Sequence, residues 1–394
     1  MEEPRSPQRI ALVHDFLLDV RGAERVFSVL CDLYPEADIF TAVYDEQGTE
    51  GRFAHRRIHT SFLQRLHPTA RSFRALLPLY PYAMEAMDLR GYDLVISSSS
   101  AWAHGVIPDE DATHVCYCHN PFRYAWNARE ETLQSRGVLQ RTLLSAVFQR
   151  WRQWDWIAAQ RVDTYVVNSD TTRRRVARYW NRDAVVVSPP VHTDRFAPAR
   201  PGEAYVVLSE LMPHKRLDLA IRAFTMLGLP LIVIGKGPDL RRLRRLAGPT
   251  ITFAGHLPDA EVAALLPTAR ALVVTATEEF GIAAVEAQAA GRPVIALRAG
   301  GVRETVIEGE TGTFFDEATP EALAAAVRGF DAMAVDPDDC VASARRFDTQ
   351  VFRDEFAAVV DDALATERPA LRVPRRRRLA RNRGSRHEHE ARST

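Results

Sequence analysis

Two glutamates, Glu278 and Glu286, stand in the stretch EEFGIAAVEAQAAG that runs from Glu278 to Gly291. Ahead of it lies the apolar run ALVVT, Ala271 to Thr275, which has strand character, and behind Ile282 an alanine-rich segment of helical character ends at Gly291. With a helix starting near Ile282, Glu278 falls in the loop and Glu286 about one turn inside, so the two carboxylates flank a helix N-terminus. Such a terminus offers unpaired N–H groups and a partial positive charge, which suit a phosphate or diphosphate, and Gly281 lets the backbone come close. The carboxylates are then free to accept hydrogen bonds from hydroxyl groups. A diphosphate with polyols at both ends is a nucleotide-sugar. Two glutamates near a helix start also fit plain dipole complements, so the other loops must decide.

Of the 51 basic residues only Lys215 and Lys236 are lysines. Lys215 lies shortly after a strand-like AYVVLS, where a compact ammonium can neutralise a diphosphate. Gly22 opens a helical segment after the first apolar run, and it allows either close approach to a phosphate or nothing more than a loop. His119 follows the strand-like VCYC and precedes the turn residues Asn120 and Pro121; its imidazole either hydrogen-bonds a substrate hydroxyl or is a satisfied structural histidine. The glycines of IGKGP and RAGGVRE permit close backbone approach, and Glu304 is placed to help seat a ligand.

These residues need strands that deliver them to a common edge. RIALVHDF, ADIFTAVY, YDLVISSSS, THVCYCHN, TYVVNS and AVVVSPP read as short strands, several of them almost wholly apolar, as in a sheet buried on both faces. A proline-rich stretch, VSPPVHTDRFAPARPG, interrupts the pattern as a linker. A second series follows in AYVVLS, LPLIVIG, TITFAG, ALVVTA and RPVIAL. Helical segments between the strands imply two parallel α/β sheets, with ligands gathering beyond the strand C-terminal ends and in the cleft between two doubly wound domains. The expected boundaries are 1–198 for an acceptor-side domain, 199–348 for a donor domain, 349–366 for a helix packing back on the first, and 367–394 for a basic tail.

At 394 residues and 46% hydrophobic composition the chain suits two globular cores. No apolar run approaches the roughly 20 residues of a membrane span, and MEEPRSPQR lacks a signal-peptide core, so a cytoplasmic protein is expected. The zero net charge conceals an asymmetry: from Arg368 onward ten arginines face two glutamates, a balance of +8 over an acidic body. That tail is either simply disordered or a contact for anionic lipid at the inner face of the cell membrane. The segment LQRTLLSAVFQRWRQWDWIAAQRVD leaves a similar choice between a packed helix and membrane docking. Nucleic acid is not expected as a partner, since an acidic body offers no continuing basic surface. Cys116 and Cys118 share a strand face about 6.6 Å apart, at the upper end for a bridge, and read as reduced core thiols. No second cysteine pair exists to complete a metal site with His119.

EEFGIAAVEAQAAGRPVIA, with HKRLDLAIRAF, IGKGP, AGGVRETVIEGETG and PPVHTDRF, resembles the E-x7-E signature and accompanying motifs of family 4 of the retaining glycosyltransferases, from about Arg9 to about Leu364. HDFL, ISSSSAWAHGV and CYCHNPFRYAW resemble a mannosyltransferase-like branch that builds bacterial surface polysaccharides. The resemblance implies the GT-B fold, two facing Rossmann-like domains with an interdomain cleft, and no cofactor or metal. Asp109 to Asp111 accordingly read as a turn and not as a metal-binding DXD. It implies that Glu278 contacts the donor sugar, Glu286 the ribose, and Lys215 with backbone groups of Gly281 and Ile282 the departing diphosphate. Gly22 would approach that diphosphate from the other domain, and His119 would touch the sugar. The donor it suggests is GDP-mannose, and the acceptor a glycan or polyprenyl-linked saccharide. Two positions depart from the family: Glu210 stands where an arginine is common, five residues before the lysine, and Arg21 precedes Gly22 where a second glycine is common. Either another arginine replaces the missing cation or donor affinity is low. A sugar-nucleotide epimerase on this fold and a catalytically silent nucleotide-sugar-binding subunit are the rival functions.

Overall fold

The computed structural model describes residues 9–366 apart from 71, 128, 135–136 and 331–334. The basic tail lies outside them. Seven parallel strands form the first sheet: β1 (Ile10–His14), β2 (Asp38–Thr41), β3 (Ile58–Thr60), β4 (Leu94–Ser99), β5 (Thr113–Cys118), β6 (Thr164–Val167) and β7 (Val185–Val186), in the order β3-β2-β1-β4-β5-β6-β7. Six parallel strands form the second: β8 (Tyr205–Leu208), β9 (Leu231–Ile234), β10 (Ile251–Gly255), β11 (Leu272–Val274), β12 (Val294–Leu297) and β13 (Gly312–Phe315), in the order β10-β9-β8-β11-β12-β13. Eleven of these strands coincide with the apolar runs of the sequence. The two others, β3 and β13, are short edge strands; two of the three residues of β3 are exposed, so no apolar run marks it.

Strand burial explains the layering. Every residue of β4 is buried and only the first of β5 is not, because helices cover both faces of the sheet. Cys116 and Cys118 face one apolar layer with Tyr165 and Trp180, while Tyr117 faces the other. Cys31, Cys116, Cys118 and Cys340 are buried and free.

In each sheet the winding reverses once, between β1 and β4 in the first and between β8 and β11 in the second. The adjacent loops diverge at such a point and leave a crevice beyond the strand C-terminal ends. The two crevices face each other across one cleft of about 1140 Å³.

The chain crosses between domains twice, and the crossings touch where Val191 N–H donates to Phe347 O at 3.0 Å. Asp348 then caps the last helix, Thr349–Ala365, and also accepts from Thr193 Oγ1 at 2.5 Å. Phe352, Phe356 and Val360 of this helix are buried against Tyr117 and Val166 of the first sheet. The helix Val138–Ala159 buries Phe148 and Trp151 but leaves Val138, Leu139, Leu143, Trp156 and Ile157 exposed. Among the described residues no helix is long and apolar enough to cross a membrane.

Candidate functional site

The loop after β11 is shaped by glycine. Gly281 takes φ +98° immediately before the helix Ile282–Ala289, and a Cβ there would stand 2.9 Å from Val302 Cγ1. Gly300, in the loop after β12, packs against the loop after β11: a Cβ would meet Glu278 O at 2.2 Å, and Gly301 N–H donates to that oxygen at 2.8 Å. The glycines of RAGGVRE therefore serve backbone-on-backbone packing that fixes Glu278. Those of IGKGP do likewise, since Cβ atoms at Gly235 and Gly237 would run into Ser209 O and Leu211 O.

Glu278 faces Lys215, whose Nζ lies 2.6 Å from Oε2. Burial opposes the Lys215 charge, but Glu278, with Glu279 and Glu210 behind it, offsets this and raises the lysine pKa. Thr275 Oγ1 donates to Lys215 O at 2.9 Å and ties the two loops together. Glu286, on the cleft face of its helix, is almost wholly buried; it accepts from Arg195 Nη2 at 2.5 Å and from Arg25 Nη1 at 3.4 Å. Burial pushes its carboxyl upward against the pull of both guanidinium groups.

The first domain supplies the opposite wall. Gly22 begins the helix Gly22–Leu33, and a Cβ on it would lie 3.5 Å from Ile282 Cδ1. Two helix N-termini, one from each domain, thus meet across the cleft. His119 follows β5; its Nε2 lies 2.9 Å from Ser98 Oγ, which is 3.1 Å from His14 Nδ1. Burial, helped by His14, pushes the His119 pKa down to about 3, so the imidazole is neutral near pH 7. Behind it, Asp15 accepts backbone N–H bonds from Ser100, Ala101, Trp102 and Ala103, at 2.6 to 3.1 Å, and holds the loop after β4.

Glu278, Glu286, Lys215, Gly22, Gly281, Ile282 and His119 all line this one cleft. Glu304 does not. Its carboxylate accepts from the N–H groups of Asp170 and Thr171 at 2.8 and 3.2 Å, and so caps a helix of the other domain. Asp109 to Asp111 precede β5 and lie at the opposite edge of the sheet; Asp109 accepts from Gly91 N–H at 2.6 Å.

Sequence reasoning missed Arg25 and Arg195. Arg25 is one turn beyond Gly22, so its i+3 spacing was a usable signal; Arg195 lies in PPVHTDRF, a motif of the family pattern that gave this arginine no role of its own. The two departures at positions 21 and 210 are partners: Arg21 Nε lies 3.0 Å from Glu210 Oε1 across the cleft.

Two family models match in tandem, Glycosyltransferase Family 4 over residues 20–195 and Glycosyl transferases group 1 over residues 192–346. Together these two glycosyltransferase models span residues 20–346 of the chain. It is 34% identical over 198 residues to a GDP-mannose-dependent alpha-(1-6)-phosphatidylinositol monomannoside mannosyltransferase of Mycolicibacterium smegmatis, over 42% of this chain and 52% of that protein. It is 31% identical to a D-inositol 3-phosphate glycosyltransferase of Acidothermus cellulolyticus, over 55% of this chain and 56% of the relative. The match thus spans about half the length of these curated relatives. Among solved structures, a sucrose-phosphate synthase from Thermosynechococcus elongatus superposes with TM-score 0.71 at 18% identity, covering 91% of this chain and all of that one. Anabaena HepE in complex with UDP and glucose gives 0.66 at 16%, covering 89% and 98%. These likenesses establish the GT-B fold: two Rossmann-like domains face each other.

Proposed function

We propose that this chain is a family 4 retaining hexosyltransferase that moves mannose from GDP-mannose to a glycan or polyprenyl-linked saccharide in cell-surface polysaccharide or glycolipid synthesis. The observation that carries the reading is the placement of Glu278 and Glu286 on either side of one helix N-terminus, opposite a second helix N-terminus at Gly22, with Lys215 between the domains. The donor assignment draws on the M. smegmatis relative, which is named as GDP-mannose-dependent.

In this reading Glu286 holds the ribose hydroxyls and the diphosphate lies between the two helix N-termini. Lys215 and the N–H groups of Gly281 and Ile282 stabilise the charge that develops as the sugar–phosphate bond breaks. Glu278 and His119 orient the sugar; the neutral His119 can accept a hydrogen bond from a hydroxyl. The acceptor oxygen attacks the anomeric carbon from the face the diphosphate leaves, and its proton passes to the departing phosphate oxygen. Positioning and charge stabilisation carry the rate. We propose that these cations act without a metal ion, and that the exposed Val138, Leu139 and Leu143 with the basic tail bring the chain to an anionic membrane surface.

The test is a thermal-shift panel of GDP, UDP, ADP and their sugar conjugates in EDTA. A ligand at a hundred times its dissociation constant adds about 2.7 kcal/mol. Stabilisation by GDP and GDP-mannose is expected, and transfer should require an added acceptor. Conversion of the donor without an acceptor would favour the epimerase, and no shift with any nucleotide would favour the silent subunit.

A further inference from the structure

The cations around the cleft are held by carboxylates, and two of those carboxylates have a second use. Lys215 is on Glu278 and Arg25 and Arg195 are on Glu286, the two acids assigned above to the sugar and the ribose. Arg21 is on Glu210, which has no such assignment. Arg21 precedes Gly22, so its guanidinium extends from the helix N-terminus that faces the Ile282 terminus. Its backbone N–H donates to Glu24 Oε2 at 3.0 Å, which fixes the base of the side chain and leaves the guanidinium to move. Glu210 stands on the loop between β8 and Lys215. Around the pair the charges alternate across the cleft lip: Lys236 Nζ is 3.5 Å from Asp19 Oδ1, and Arg21 Nη2 is 3.7 Å from Asp19 Oδ2. Two of the four side chains come from each domain, and their net charge is zero.

We infer that Arg21 is a donor-binding residue that the first domain contributes to the diphosphate, and that Glu210 competes with the diphosphate for it. The inference rests on the nucleotide-sugar reading above. The Arg21 and Glu210 side chains are 33% and 41% exposed, and a pair that open to water contributes less than about fivefold to an equilibrium. It is weak enough to exchange. A diphosphate offers Arg21 more negative charge and a bidentate acceptor, and the helix N-terminus beside it favours the same anion. Once Arg21 has turned to the diphosphate, Glu210 is a carboxylate facing like charge. It therefore lowers affinity for donor and for the nucleoside diphosphate product alike, and hastens release of the latter.

Calorimetric titration of the full chain with GDP tests this, with guanosine as the ligand lacking phosphate. Arg21→Gln is expected to weaken GDP binding by roughly ten- to a hundredfold, as for the loss of a charge-assisted hydrogen bond. Glu210→Gln is expected to tighten GDP binding about three- to tenfold, more at low salt, and to leave guanosine unchanged. Gain of affinity cannot come from misfolding, so the second variant stands even if the first is unstable. Unchanged or weaker GDP binding by Glu210→Gln would show the pair to be a clasp between domains, and equal tightening of guanosine would show that it governs cleft closure alone; either result overturns the inference. A wild-type chain that binds no nucleoside diphosphate refutes the donor reading itself, a separate outcome from wild-type binding with unaltered variants.

Discussion

Replacing Lys215 by alanine should damage turnover, donor binding and stability by different amounts, and the differences follow from its contact with Glu278. Nζ and Oε2 are 2.6 Å apart with each side chain 19% exposed. Removing one member of a fully buried pair costs about 3–5 kcal/mol, and partial access to water brings the expected loss to about 2 kcal/mol. Lost contact with the diphosphate, at about 1.5–3 kcal/mol for a charged hydrogen bond, should weaken GDP binding by roughly 10- to 150-fold. Turnover should fall by about 10²–10³, the usual effect of deleting one group that stabilises a leaving oxyanion. Glu278→Gln keeps the shape and removes only the charge; it should abolish transfer while GDP binding holds or tightens, because Lys215 is released toward the diphosphate. Calorimetry with GDP, paired with single-turnover assays on the donor, reads both variants. If they lose GDP affinity alike, or if Lys215→Ala turns over as wild type, the pair is structural and the assignment of Lys215 to the diphosphate is wrong.

Three further outcomes separate folding from function. Gly281→Ala forces a non-glycine residue to φ +98° and a methyl to within 2.9 Å of Val302 Cγ1, so a loss of about 1–3 kcal/mol is expected in urea denaturation; unchanged stability would contradict the strained-loop account. Gly22→Ala meets only ordinary contact at 3.5 Å and should keep its melting temperature, yet raise the donor KM by placing a methyl between the two helix N-termini; a wild-type KM argues against a diphosphate there. His119 has a folded pKa of about 3 against an ordinary 6.5, so below pH 6.5 the unfolded chain takes up a proton that the folded one refuses. Stability present above pH 6.5 is lost as pH falls toward 3, by about 2 kcal/mol at pH 5 from this residue, and denaturation of His119→Gln at pH 7 and pH 5 should show a correspondingly smaller drop.

The fold was legible where burial leaves a compositional mark. β4 and β5 carry LVISSS and THVCYC, buried on both faces, and could hardly be read otherwise. β3 and β13 were not legible for the converse reason: an edge strand of three or four residues needs only one neighbour and no apolar face of its own. Glycines read as ligand contacts are ambiguous because a missing Cβ serves any close backbone equally well: those of RAGGVRE pack on Glu278 and Glu279 and do not line the cleft, whereas Gly235 and Gly237 of IGKGP pack on Ser209 and Leu211 and line it as well. Glu304 was misplaced for a similar reason, since a carboxylate at a strand end is as useful to the N–H groups of a neighbouring helix as to a ligand.

The positions of the site residues followed from strand ends, but the partners of their charges did not. Arg25 and Glu286 meet from 261 residues apart, a relation that spacing along the chain cannot express. The same limit explains why Arg21 and Glu210 looked like two separate losses, a glycine and a cation, when taken position by position. At 3.0 Å they compensate each other: the positive charge absent from the loop after β8 is present on the facing helix terminus, and the carboxylate in its former place holds it there. The cleft keeps its cation and changes the domain that supplies it. Donor binding then depends on how near the two domains stand, because Arg21 can reach a diphosphate bound on the second domain only when the cleft is closed, whereas a cation on the loop after β8 would travel with that domain. The affinity of the open cleft should accordingly be low and the gain on closure large, which couples tight donor binding to the one arrangement in which Gly22, Lys215 and Glu278 face the same space.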